Sequence, residues 1–136
     1  MKLSENFTLE EMIYSSTAQK RGINNYPDLL QLEKLQLLCN KILQPLRNKL
    51  KKPITITSAF RCDELNRIVG GSKTSQHLKG EAADIICNDN SQLWNLALEL
   101  IYNGDIVVGQ IINEKNLSWI HISLPSLKHI NQILYL

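Results

Sequence analysis

Cysteine, aromatic residues and charge of one sign are all scarce in this 136-residue chain, and each scarcity closes off a class of function. Three cysteines, Cys39, Cys62 and Cys87, are an odd number, widely spaced and without a CxxC pair, so neither a disulfide framework nor a thiolate metal site is expected. Cys39, inside a leucine-rich pattern, and Cys87, after Ile85-Ile86, read instead as small buried hydrophobes. Fifteen Lys and Arg stand against thirteen Asp and Glu, a net charge of +2 that gives no electrostatic footprint for nucleic acid. The longest apolar runs, such as Ile106-Val107-Val108, fall far short of the ~20 residues a membrane span requires, so no membrane insertion is expected. Met1-Lys2-Leu3-Ser4-Glu5-Asn6-Phe7 holds no secretory signal pattern, which implies synthesis in the cytoplasm without a signal peptide and any export by outside help.

What the chain does hold is the balance of a globular protein, 43% apolar and 21% charged residues, with length for one domain over residues 1–136. Phe7-Thr8-Leu9-Glu10-Glu11 predicts a helix start, Thr8 as N-cap, Glu11 at the capping-box position and Phe7 as staple. That helix should end near Ser15 or Ser16, followed by irregular chain up to Pro27 with Gly22 and Asn24-Asn25 as turn residues. Leu35, Leu38, Ile42, Leu46 and Leu50 recur at spacings of three and four and mark the buried face of a helix from Pro27 to about Leu50. Pro27 suits its first turn, and Pro45 should kink or divide it. Residues 53–57 read as a strand, 61–69 as a short helix closed by Gly70-Gly71, and 82–87 as a second strand. Asp89-Asn90-Ser91 caps a helix through Tyr102 that Asn103-Gly104 ends, with Trp94 in its core face. Residues 106–113 and 119–123 form two further strands around a hairpin-sized gap, while 130–135 fits an edge strand or a helix. Helices early and strands late favour an α+β fold.

The polar residues that call for a chemical reason are His77, Asp84 and His121. His77 and Asp84 are seven apart, which does not suit one helical turn but does suit a loop feeding a strand, with Gly80 allowing an unusual turn or close approach. In an extended segment His121 shares a face with Trp119 and Ser123, and Ile120 and Ile122 face the core. Two imidazoles and one carboxylate are a ligand set used by catalytic zinc, with the fourth position left for water. His129 has no motif around it and reads as a surface histidine.

Ser75-x-His77-x-x-Gly80-x-Ala82-x-Asp84 followed by Trp119-x-His121 resembles the zinc D-Ala-D-Ala carboxypeptidase family, which includes the phage L-alanyl-D-glutamate endolysins and shares the Hedgehog/DD-peptidase fold. The resemblance extends through Phe7-Thr8-Leu9-Glu10-Glu11, Ser16-Thr17-Ala18, Arg21-Gly22, Leu43-Gln44-Pro45-Leu46-Arg47, Ile56-Thr57-Ser58-Ala59-Phe60-Arg61 and Asn66-x-x-Val69-Gly70-Gly71, the pattern of the small single-domain phage and bacterial branch. It implies a small antiparallel sheet carrying a zinc (Zn2+) site with helices packed on the other side, and His77, Asp84 and His121 as the ligands. It implies a peptidase acting on the peptidoglycan stem peptide, as carboxypeptidase or endopeptidase, reaching the cell wall after release or holin-assisted export; a monomer is expected independently of the resemblance. Arg61 would steady a peptide carboxylate or the oxyanion, and Ser58, Ser75 and Gln76 would meet substrate or ligand shell. Trp119 would form a wall of the substrate cleft or pack on the sheet.

One position departs from that pattern. The better-studied members carry an acid three residues before the last histidine, where this chain has Ser118, and a serine hydroxyl cannot serve as base near neutral pH. If 106–114 alternates, Gln110, Ile112 and Glu114 share a face, and a hairpin brings Glu114 toward the metal, making it the expected catalytic base. Glu81 is the weaker choice. The alternatives are a catalytically silent zinc module of the same fold and a peptidase or amidase acting on another D-amino-acid peptide.

Overall fold

The computed structural model describes residues 1–136. The chain opens with a two-stranded antiparallel pair, β1 (Lys2–Ser4) and β2 (Phe7–Thr8), too short for periodicity to reveal. Thr8 then caps α1 (Leu9–Ile13): its hydroxyl accepts from the Glu11 N–H while the Glu11 carboxylate accepts from the Thr8 N–H, the reciprocal box that the sequence predicts. Where irregular chain was expected, α2 (Ser16–Arg21) forms between the Ser15 hydroxyl cap and Gly22 at φ 66°. Its six residues bury only Ala18, so no apolar stripe announced it.

The long helix begins at Leu29, two residues later than expected. Asp28 and Gln31 form a capping box at the start of α3 (Leu29–Leu38), leaving Pro27 outside. The helix widens into a π turn over Cys39–Leu43 and continues as α4 (Gln44–Leu50). Pro45 can neither donate to the ladder nor avoid crowding the turn before it, and the widened turn absorbs both conflicts without breaking the helix. Leu35, Leu38, Ile42 and Leu46 are fully buried, as their spacing requires.

The main sheet comprises β3 (Thr55–Ser58), β4 (Ala82–Ile86), β5 (Gln110–Glu114), β6 (Trp119–Ser123) and β7 (Gln132–Tyr135) in the order β3-β4-β6-β5-β7. All pairings are antiparallel except the last: β7 runs parallel to β5, so the sheet is mixed rather than antiparallel throughout. The chain leaves β6 at Ser123 and crosses past the start of β5, and that route delivers β7 to the outer edge pointing the same way as β5. Residues 130–135 thus resolve to an edge strand. The strand expected from 106 starts only at Gln110, because Val108 bonds instead to Asn131: its N–H donates to the Asn131 side chain and its carbonyl accepts from the Asn131 N–H.

Between β3 and β4 lies α5 (Asp63–Ile68), shorter than the 61–69 read from sequence. After β4 comes α6 (Asn90–Tyr102), capped by Asp89 and ended at Asn103 as predicted. Ala83, Ile85, Ile111, Ile120 and Ile122 on one sheet face meet Leu35, Leu38 and Ile42 of the long helix and Leu93 and Ala97 of α6 in one apolar core. Trp94 is buried there and packs edge to face on Tyr135, ring centroids 5.6 Å apart. Helices therefore cover one face and leave the other to polar groups.

Cys39 is fully buried and its thiol is pushed up to about 12 by that burial. Cys87 is a correction: it is partly exposed, its thiol donating to the Asp89 carbonyl at 3.1 Å. A colorimetric thiol titration of the native chain should therefore count Cys62 and Cys87 and reach Cys39 only after denaturation. Rapid reaction of all three thiols in the folded chain would contradict this packing.

Candidate metal centre

Strand alternation builds half of the site. Ala83 and Ile85 on β4 and Ile120 and Ile122 on β6 point into the core, so Asp84 and His121 between them lie on the opposite face. The antiparallel register places Asp84 directly across from His121. His77 arrives from a 3-10 turn, Gln76–Lys79, that the sequence did not reveal because four residues carry no period. Ser75 caps this turn, its hydroxyl accepting from the His77 N–H, and Gly80 closes it at φ 73°. Gly80 is required twice over: a Cβ there would stand 2.6 Å from the Gln31 carbonyl oxygen of α3. The turn is tied to that helix by Gln31, whose side-chain amide donates to the Leu78 carbonyl at 3.1 Å.

One ligand atom from each of His77, Asp84 and His121 falls within 4.8 Å of the others, a grouping that could hold a metal ion. His77 Nδ1 lies 2.6 Å from the Ala59 carbonyl, which can only accept, so Nδ1 carries the proton. His77 Nε2 then turns its lone pair to Asp84 Oδ1, 3.4 Å away. His121 repeats the logic with its nitrogens exchanged: Nε2 donates to Gln76 Oε1 at 2.8 Å, and Nδ1 faces Asp84 Oδ1 at 3.1 Å. Two imidazole lone pairs and a carboxylate oxygen thus converge with their outer nitrogens already committed. Only a cation, a proton or a metal ion, satisfies such a point, and the N,N,O donor set fits a divalent metal. When protons rather than a metal fill that point, burial raises the Asp84 carboxyl, but hydrogen bonds and charge from the protonated His121 and His77 rings outweigh it and hold the group well below the usual carboxylate range. Asp84 is therefore ionised and ready to ligate.

Arg61 stands beside the triad, its backbone N–H donating to the His77 carbonyl. Its Nε donates to Asn66 Oδ1 at 3.1 Å and its Nη2 to Ser75 Oγ at 3.3 Å. No carboxylate pairs with it; burial lowers its pKa and nearby Asp84 raises it, and a guanidinium stays charged throughout. Asn66 is locked in turn by donating to the Ser72 carbonyl and by packing on Gly71, where any Cβ would overlap its side chain. The segment entering Arg61 is pinned by buried Asn25, which donates to the Ile13 and Phe60 carbonyls and accepts from the Cys62 N–H. In sequence Asn25 had read only as a turn residue.

An open cleft of about 1040 Å3 lies over the triad. Arg61, Ser75, Gln76, Glu114 and Trp119 all line it. Across the β5–β6 hairpin Glu114 pairs with Trp119 and Ile112 with His121, so Glu114 sits on the triad's face one diagonal step from His121. Trp119 is partly buried, with the Lys115 ammonium 5.6 Å from its ring centroid. Glu81 also borders the cleft, although strand parity had put it on the opposite face; it precedes β4, and its carboxylate is held by Lys34 at 3.7 Å. Ser118 faces away, its hydroxyl donating to the Lys115 carbonyl within the hairpin turn. Ser58 pairs with Asp84 across β3–β4 but lines a separate hollow of about 280 Å3, which Arg61 also borders. His129, read as a surface residue, is partly buried on the cleft rim with Lys128. Sequence gave no hint of this, since residues 124–131 have neither period nor motif.

No curated protein matches the chain. A family model described as Peptidase M15 matches residues 5–123, a stretch that holds all three members of the triad and Glu114. The chain belongs to the Peptidase M15 family, and so to a family of metallopeptidases.

Proposed function

We propose that this protein is a zinc-dependent peptidase that hydrolyses a bond in the stem peptide of bacterial peptidoglycan, as a carboxypeptidase or an endopeptidase. The observation that carries the reading is the convergence of His77 Nε2, Asp84 Oδ1 and His121 Nδ1 in an open cleft, with the outer nitrogens of both imidazoles already tied down. A zinc ion held there supplies Lewis acidity, polarising a carbonyl oxygen and acidifying water. Glu114 is the base: from its diagonal position it takes a proton from the attacking water and returns it to the leaving amine. Arg61, fixed by Asn66 and Ser75, keeps guanidinium N–H groups free to donate to a substrate carboxylate or to oxygen charge developing at the scissile carbonyl. Ser75 and Gln76 act behind this line, as supports for Arg61 and His121, the ligand-shell side of their expected role. Trp119 forms a wall of the cleft, and Ser58 lies outside it. The protein works as a monomer and meets the wall after release or holin-assisted export.

A second reading, a zinc-holding module without turnover, is favoured by Ser118 alone. Digestion of purified peptidoglycan by zinc-loaded protein separates the two, with a chelated control and Glu114→Gln beside it. New peptide termini should appear by mass spectrometry only with zinc, and Glu114→Gln should retain zinc while losing ~10²–10⁴-fold in rate. Intact stem peptides from zinc-occupied protein would favour the silent module, and unchanged rates in Glu114→Gln would move the base elsewhere.

A further inference from the structure

The cleft continues past the triad onto residues 124–129, which lie beyond the stretch matched by the family. This rim is held in place rather than loose. At its start the Leu124 N–H donates to the Glu81 carbonyl at 2.8 Å, and at its end the Asn131 N–H donates to the Val108 carbonyl. Between them a turn is closed by the Ser126 N–H to the His129 carbonyl at 3.0 Å and by the His129 N–H to the Ser126 hydroxyl at 3.2 Å. Lys128 sits within that turn and lines the cleft.

Charge is distributed unevenly along the cleft. Lys73, Lys79 and Lys128 line it, and no carboxylate stands within salt-bridge distance of any of them. The nearby acid Glu81 is held by Lys34, and Asp84 is engaged by the two imidazoles. Glu114, the remaining acid, is the last residue of β5, whereas the 124–131 rim passes the first, since Gln132 at its exit pairs with Gln110. The Lys128 ammonium therefore stands on the rim that passes the start of β5, and Glu114, beside Lys115, lies at the other end of that strand.

We propose that Lys128 is a specificity-determining residue whose ammonium binds a free carboxylate of the peptide substrate, orienting the chain across the triad. The inference rests on the peptidase reading above for the nature of the ligand, but not on turnover. Both groups being solvent-exposed, the expected preference is modest, about five-fold, and salt weakens it.

The test compares one stem pentapeptide as the free acid with the same peptide carrying its carboxylates as primary amides. Binding is measured by titration calorimetry on chelated protein, and kcat/KM on zinc-loaded protein. Wild type should bind the acid about five-fold more tightly than the amide at low salt, Lys128→Gln should narrow that gap while leaving the amide unchanged, and Lys128→Glu should narrow it further, any remainder belonging to Arg61. Equal affinity for acid and amide in wild type, no detectable binding of either, or a gap undiminished in Lys128→Gln would each overturn the proposal. A Lys128-dependent gap in a protein that cleaves neither peptide would uphold it and remove the peptidase reading. Cleavage of both at equal kcat/KM without a gap would do the reverse.

Discussion

His77→Ala and His121→Ala should each fold and yet lose nearly all zinc affinity, because each removes one of the three donors that converge on the site. The loss should exceed the ~10–100-fold typical of removing a partner that only orients a ligand. Gln76→Leu supplies that lesser case: without Oε1 to accept its Nε2 proton, His121 is free to adopt the other tautomer and present the wrong nitrogen. Competition with a chromophoric chelator, run on all three variants, should therefore rank wild type first, Gln76→Leu next and the histidine variants last. Circular dichroism guards against trivial unfolding. Full zinc occupancy in both alanine variants would remove the ligand assignment, and an unchanged Gln76→Leu would remove only the tautomer argument.

Gly80→Ala should be strongly destabilising, because it combines a left-handed backbone with a steric clash. A left-handed backbone costs any residue with a Cβ about 1–2 kcal/mol. At Gly80 the added carbon must also displace α3, since it meets the Gln31 carbonyl oxygen at 2.6 Å and Leu35 at 3.2 Å. Forcing backbone apart in a packed region adds about 1–3 kcal/mol, for a total near ~3 kcal/mol and a fall of roughly 10 °C in Tm. Gly22→Ala is the control, with φ 66° and nothing within 4 Å of the new carbon, so it should lose about 1 kcal/mol and no more. Thermal melts of the two variants decide it: equal losses would mean that the contact with α3 contributes nothing. Because Gly80 ends the turn that carries His77, Gly80→Ala should also weaken zinc binding where Gly22→Ala does not.

The residues that converge were visible in the sequence because chemistry narrows the choice: His77, Asp84 and His121 are the polar groups for which strand alternation alone gives no reason. The groups that aim them were not visible. Ala59 contributes only a carbonyl, which any residue could offer, and Gln76 reaches His121 across 45 positions of chain. Long-period features were read correctly, as in the buried leucines from Leu35 to Leu50 and the capped helix after Asp89. A short one was not: the Ser16–Arg21 helix lacks an apolar stripe, whereas Pro45, expected to kink or divide the long helix, follows the π turn that interrupts it. The parallel strand at the end escaped because local pattern carries no direction of pairing.

That Asp84 stands opposite His121 has a consequence for how the chain finds its native state. Side chains alternate with a period of two, so sliding β6 by a single residue along β4 would turn His121 toward the apolar interior and bring Ile120 or Ile122 out beside the carboxylate. Such a slipped sheet could keep most of its backbone bonds, but it could not keep an ion. A ligand that binds only the correct register stabilises that register alone, by about 4 kcal/mol at a thousandfold excess over its Kd. An ion held there would act as a check on assembly: a molecule whose strands have paired out of step would be marked by its failure to retain it, before any peptide has been offered.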